Sequence, residues 1–200
     1  LLYMPIKANN EGGVKRGPLI VISGSPGSGK STYARRLAED FNLTYYSSGA
    51  IFRSIARELG ISLVELNKRA EESIDIDVMV EAKTLELASR GNIVIDSHIA
   101  AWILASIADI LIYVKAPLHI RAQRVAGRDN ISYSKALEDI VDRELSHWTR
   151  FMKYYGIDTL DLSIFHLVID TSIYSIEEAY NIIKLAVKQR LEKLGHTKSL

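Results

Sequence analysis

The sequence contains no cysteine. That excludes disulfides, thiolate zinc sites, iron–sulfur clusters and a cysteine nucleophile. It also fits a reducing compartment, so a cytoplasmic location is expected. Charge of one sign is lacking too: 25 Lys+Arg stand against 24 Asp+Glu, a formal net charge of +1. Nucleic-acid and membrane-surface binders usually depend on a basic excess, so neither partner is expected. The opening Leu1-Leu2-Tyr3-Met4-Pro5 has no basic leader and no long apolar stretch, against a signal peptide. The mostly apolar span from Ile93 to Val114 is interrupted by Asp96, His98 and Asp109. An aspartate at a bilayer centre costs about 2.5–3.5 kcal/mol, so this span reads as two buried strands around a short helix. His119, His147, His166 and His196 lack metal-ligand spacing, and no zinc site is expected.

What is present is ordinary globular material: 200 residues, 48% hydrophobic and 24% charged. That suits one domain with a substantial core. Residues 1–17 read as a polar N-terminal tail and 18–200 as the domain. Continuous apolar runs at 18–23, 92–95, 107–114 and 165–170, with a shorter one at 43–46, predict strands covered on both faces. Helical patterns fall at 29–41, 51–59, 63–71, 77–90, 118–126, 133–154 and 176–194, with a turn expected at Gly127-Arg-Asp-Asn130. Alternation of the two predicts an α/β fold with a parallel sheet and right-handed crossovers. Two helical excursions leave the sheet, at about 48–90 and 117–155. There is no internal repeat and no low-complexity tract.

Gly24-Ser-Pro-Gly-Ser-Gly-Lys30-Ser31 follows a predicted strand and opens a predicted helix. This is the phosphate-cradle pattern G-x-x-x-x-G-K-[ST] in its required context. Glycines let successive N–H groups point inward, and the helix N-terminus adds positive potential. Gly24, Ser25, Pro26, Gly27, Ser28, Gly29, Lys30, Ser31 and Thr32 are therefore the expected ATP-binding residues. Lys30 would reach the β- and γ-phosphates, and the Ser31 hydroxyl would ligate Mg²⁺. Asp96, ending a buried strand, is the candidate metal-side carboxylate; Asp170 is a weaker one.

Arg121, Arg124 and Arg128 share one helix face, and Arg143 and Arg150 share a face of the next. Facing helices would aim all five inward. Such a cluster offsets the repulsion between two polyanions and stabilises transferring charge. The other reading is a solvated face paired with Glu138, Asp139, Asp142 and Glu144.

The chain resembles the archaeal cytidylate kinases, the short adenylate-kinase-like branch of nucleoside monophosphate kinases. The likeness runs from Leu19 to about Leu185. It is carried by Ile22 to Ser31, Ser48-Gly-Ala-Ile-Phe-Arg53, Ile95-Asp-Ser-His-Ile-Ala-Ala-Trp102, and Ala116-Pro-Leu-His-Ile-Arg-Ala-Gln-Arg124. Arg143-Glu144, Tyr155-Gly-Ile-Asp158, Asp161-Leu-Ser163 and Asp170-Thr-Ser172 also match.

The resemblance implies a three-layer P-loop fold, with a five-stranded parallel sheet, an acceptor-binding flap at about 48–90 and a lid at about 117–155. It implies transfer from ATP to CMP or dCMP with Mg²⁺. It places Arg53 on the acceptor phosphate, the arginines at 121, 124, 128, 143 and 150 in the lid, and Thr171 beside the ATP base. Ser48, Gly49, Asp77, His98 and Arg143 complete the expected acceptor site; Asp77 is chosen as the cytosine reader from among Asp75, Asp77, Ser48 and Lys83, its other reading being an ordinary surface carboxylate. Ala50, Asp96-Ser-His98-Ile99 and Ala82-Lys83 depart from the family pattern, His98 standing where relatives carry arginine. The attacking phosphate oxygen is already ionised, so no general base is expected. A monomer is expected. The alternatives are a kinase for UMP, AMP or a sugar, and a non-catalytic ATP-binding regulatory protein.

Overall fold

The computed structural model describes residues 16–196. The N-terminal tail expected at 1–17 lies outside them except for Arg16 and Gly17, as do residues 197–200.

Five strands form one parallel sheet in the order β2-β3-β1-β4-β5. They are β1 (Leu19–Gly24), β2 (Thr44–Ser47), β3 (Ile93–Asp96), β4 (Ile110–Lys115) and β5 (Leu167–Asp170). The unbroken apolar runs have the cause the sequence suggests. Alternate residues of β1 face opposite layers, and both layers are helical. Ile20 and Ile22 pack with Leu37 of α1 (Lys30–Asp40) and Ile183 of α8 (Ile176–Lys193). Leu19 and Val21 pack on the other face with Ala88 of α4 (Asp75–Arg90) and Ala100 of α5 (Ala100–Ile103).

The first excursion, between β2 and β3, holds α2 (Ser48–Glu58), α3 (Leu63–Glu72) and α4. The second, between β4 and β5, is a hairpin of α6 (Leu118–Asp129) and α7 (Tyr133–Tyr155). The hairpin has its own small core of Ala122, Val125, Ala136 and Ile140.

Three helix boundaries differ from the sequence reading by more than one residue, and the strands expected from 107 and 165 begin at Ile110 and Leu167. The turn expected at 127–130 is helical through Asp129, and Asn130 alone supplies the reversal, at φ 53°. Asparagine tolerates this left-handed conformation better than most residues. The helix expected at 51 starts at Ser48, because the Ser47 side chain accepts from the Ala50 N–H at 3.3 Å. The helix expected at 77 starts at Asp75, where Ser73 Oγ accepts from the Asp75 N–H.

The parallel register brings every strand's carboxyl end to one edge. Ile22 and Ser47 both lie opposite Asp96, while Gly24 lies opposite Val114. The loop after β1 therefore sits between the ends of β3 and β4, where sheets of this class place their ligands.

Candidate functional site

The loop from Gly24 to Gly29 curls between β1 and α1. Gly24 has no room for a side chain, since a Cβ would meet the Val114 carbonyl oxygen at 2.2 Å. Gly27, at φ 79°, would strike the Arg121 carbonyl oxygen at 2.8 Å. Here glycine is needed for conformation and for close approach alike. The first turn of α1 has no side-chain cap and no acidic residue. By contrast α2, α3, α7 and α8 each start on a capping serine: Ser47, Ser62, Ser132 and Ser175. The N-termini of α4, α5 and α6 also lack a side-chain cap, but only that of α1 continues the glycine-rich loop, so its amides are placed for an anionic ligand.

Lys30 lies in this cradle. Burial lowers its ammonium to about 8; Asp96 opposes the shift, and Arg143, Arg128 and Arg53 reinforce it. Burial also lowers Arg143 from the usual guanidinium range, with Arg128 and Arg53 repelling it further. Neither Arg53 nor Arg143 has a carboxylate within ion-pair distance among the described residues. Arg128 is held by the adjacent Asp129, at 2.6 Å. The cations gathered over the loop therefore outnumber their counter-charges.

The five lid arginines do not all converge. Arg121 is buried and serves as a strut: Nε donates to the Ala116 carbonyl, Nη1 to the Pro26 carbonyl at 3.2 Å, and the fork pairs with Glu144. Arg124 donates to Thr171 Oγ1 at 2.9 Å and to the Thr171 carbonyl at 2.7 Å. Thr171 Oγ1 in turn donates to the Ser28 carbonyl at 2.9 Å. Arg121, Arg124 and Thr171 thus brace the phosphate loop from outside. Arg150 points away from it, its Nε 3.1 Å from Asp77 Oδ2, both side chains buried. Of the five, Arg128 and Arg143 remain beside Lys30.

Ser31 Oγ donates to Asp96 Oδ2, and the Tyr45 hydroxyl donates to the same oxygen at 2.9 Å. A hydroxyl and a carboxylate side by side at the mouth of a phosphate cradle form a hard oxygen set. Such a set fits Mg²⁺, which takes few protein ligands and completes its shell with phosphates and water.

Of the residues expected on the acceptor side, Ser48 is buried and opens α2, Gly49 follows it, and Arg53 stands one turn later. A Cβ on Gly49 would stand 3.5 Å from Arg53 Nη1. His98 lies at 4.5 Å between ring centroids from His147, which stacks on Phe151. Burial and then Lys30 hold the His98 imidazole well below its ordinary range, and it bonds the Gly24 backbone. A neutral imidazole has one N–H. Here that N–H serves the Gly24 carbonyl, so Arg53 and Arg143, not His98, carry the positive charge on this side. A cavity of about 410 Å³ opens on the outer wall of the loop at Gly24, Ser25 and Pro26, with His98, His147 and Trp148 on its sides.

Sequence reasoning passed over Tyr45 as a site residue and named His147 only in setting aside a zinc site. His147 follows Arg143 by four residues, which puts it on the same helix face and was the available signal. Glu144, offered above among the carboxylate partners of the arginines, pairs with Arg121 across 23 residues of chain.

The comparisons with known proteins agree with this geometry. Residues 19–173 match the model of the cytidylate kinase-like family. A cytidylate kinase of Aeropyrum pernix is 54% identical over 170 residues, covering 85% of this chain and 99% of the relative. One from Staphylothermus marinus is 53% identical, covering 88% and 99%. Among solved structures, a shikimate kinase from Acinetobacter baumannii in complex with shikimate superposes with a TM-score of 0.56 at 21% identity, over 88% of this chain and 96% of that one. At that identity the likeness establishes the shared fold alone. With a family match across the sheet, the phosphate loop and the hairpin, the chain belongs to the cytidylate kinase-like family.

Proposed function

We propose that this chain transfers the γ-phosphoryl group of ATP to CMP or dCMP, producing ADP and CDP or dCDP. The observation that carries the reading is the convergence of Lys30, Arg53, Arg128 and Arg143 on an uncapped helix N-terminus. Only polyanionic ligands relieve that mutual repulsion, and two phosphorylated substrates meeting there would do so. The relatives' name supplies the acceptor.

In this reading the amides from Gly24 to Thr32 wrap the donor phosphates, and Lys30 bridges the β- and γ-oxygens. Arg53 and Arg143 orient the acceptor phosphate, and Arg128 closes over the transferring group. Ser31 and Asp96 would hold Mg²⁺, which neutralises phosphate charge when bound. The attacking oxygen needs no base, so alignment, charge neutralisation and water exclusion supply the rate. We take residues 18–200 as one kinase domain, α2–α4 as its acceptor arm and α6–α7 as its lid. We take the chain as a monomer working among cytoplasmic nucleotides.

A coupled ADP-release assay with CMP, dCMP, UMP, AMP and GMP tests the reading. CMP and dCMP should give the highest kcat/KM. Preference for AMP, or no ADP above background with any acceptor, would overturn it.

A further inference from the structure

The α4–α7 contact holds a polar cluster that phosphate binding leaves unexplained. Asp77 and Glu81 are four residues apart on α4, on one face. That face is turned inward, with Asp77 5% and Glu81 8% exposed. From α7, Arg150 (2% exposed) and Tyr155 face them. Arg150 Nη1 donates to Asn67 Oδ1 at 3.1 Å, and the Phe52 ring lies 5.6 Å from its guanidinium. From β2, the Tyr46 hydroxyl accepts from Thr84 Oγ1 at 3.4 Å. Four polar atoms gathered here have no hydrogen-bond partner: Asp77 Oδ2, Glu81 Oε2, Arg150 Nε and the Tyr155 hydroxyl. Arg150 Nε and Asp77 Oδ2 are close enough to attract yet misaligned for a hydrogen bond. Buried polar atoms are nearly always paired, so such a concentration of orphans calls for an explanation.

Counting charge gives a second constraint. Two carboxyls share one guanidinium, so one of them keeps its proton. Burial raises the Asp77 carboxyl too, but Arg150 beside it opposes that shift, whereas Glu81 has no such cation, which leaves Glu81 as the acid. Burial and then the neighbouring Asp77 push Glu81 up to about 8. At neutral pH the cluster therefore offers a carboxylate acceptor beside a carboxylic acid that both donates and accepts. Cytosine has the complementary edge: an amine with two hydrogens beside the N3 acceptor. Uracil places its O4 acceptor where the amine would be.

Resting on the kinase reading above, we propose that Asp77 and protonated Glu81 read the cytosine edge of the acceptor and make the site selective against uracil. Glu81 gives its proton to N3 and takes one amine hydrogen. Asp77, held ionised by Arg150, takes the other. Uracil keeps a pairing with Glu81, because a carboxylic acid can exchange its two roles, but its O4 then faces the Asp77 carboxylate. Asp77 is thus the discriminating group and Glu81 the adaptable one. The base enters by parting α7 from α3 and α4, taking up the atoms left unpaired in the closed contact.

The test uses the full chain at saturating ATP, so that Lys30 is engaged throughout. The acceptors are CMP, UMP and the 5′-monophosphate of 2-pyrimidinone riboside, which lacks the amine. CMP should exceed both by roughly 30-fold in kcat/KM, the worth of a good bidentate base contact. Asp77→Asn should shrink the CMP-to-UMP ratio to within roughly five-fold, the KM for ATP staying the same. Glu81→Leu should raise the KM for CMP, and Glu81→Gln, with a matching donor and acceptor, should recover most of that loss. In the parent, kcat/KM for CMP should fall as the pH rises through about 8, and in Glu81→Gln it should not.

A buried acid with a merely structural role would instead lower the melting temperature as pH climbs and leave the acceptor ratios alone. Equal turnover of CMP and the amine-less analogue by the parent enzyme overturns the inference, even if every variant fails to fold. Failure of all acceptors to yield ADP overturns the kinase reading and this inference with it, whereas robust CMP turnover without base preference overturns this inference alone.

Discussion

The donor cradle and the acceptor cluster lie on the same sheet edge and are built in opposite ways. Around the phosphate loop, Thr171, Arg124 and Arg121 fasten the backbone carbonyls of Ser28 and Pro26 from outside. These bonds brace the loop with no ligand in place, and its unmet need is for negative charge. Around Asp77 and Glu81, side chains crowd together with their polar atoms unpaired. The first region meets a part common to all nucleoside triphosphates, so a fixed mould suffices. The second must tell related bases apart, and discrimination by hydrogen bonding works through groups that are costly to leave unmatched.

The largest effect expected is at Lys30. Lys30→Ala should lower kcat by roughly a thousand-fold, in line with loss of a group stabilising the transition-state charge. CMP binding by calorimetry should persist, because the acceptor cluster does not depend on it. Loss of CMP binding in this variant would break the division between the two regions.

A smaller effect is expected at the bracing. Thr171→Val keeps the shape and removes the hydroxyl, leaving the Ser28 carbonyl only the longer bond from Arg124 at 3.4 Å, a cost of about 1 kcal/mol in stability. The KM for ATP should rise roughly ten-fold if that bracing holds the mould, a loss of about 1.4 kcal/mol in binding. An unchanged KM would mean that the glycines alone shape the loop.

The smallest effect is a pH dependence. Lys30 sits below its solution value, so the free enzyme begins to lose that positive charge as the pH rises through about 8. The kcat/KM for ATP should decline there, since this parameter reports groups of the free enzyme. Acceptor-side titration is read separately, at saturating ATP, which sharpens the contrast.

Much of this was legible in the sequence because it is local. The cradle is eight consecutive residues, and each strand is a run of neighbours whose apolar character follows from having helices on both faces. Ser31 and Asp96, though 65 residues apart, were joined by a simple rule about the ends of adjacent parallel strands. The arginines were harder. Their spacing correctly showed which share a helix face, but a face does not reveal its partner. Arg121 found Glu144, and Arg150 found Asp77, across 23 and 73 residues of chain. Thr171, expected beside the ATP base, also supports the Ser28 carbonyl, a contact that no local pattern announces. Glu81 escaped notice because a glutamate on a helix is usually solvated, whereas the face of α4 that carries it is turned inward.

The fork of Arg121 grips the wall of the phosphate loop through Pro26 and the second hairpin helix through Glu144. A clamp shared in this way makes hairpin posture and loop shape a single equilibrium. Whatever stiffens one must steady the other by the same free energy, whichever ligand arrives first. Arrival of the triphosphate would then already be news to α7, whose far end carries Arg150.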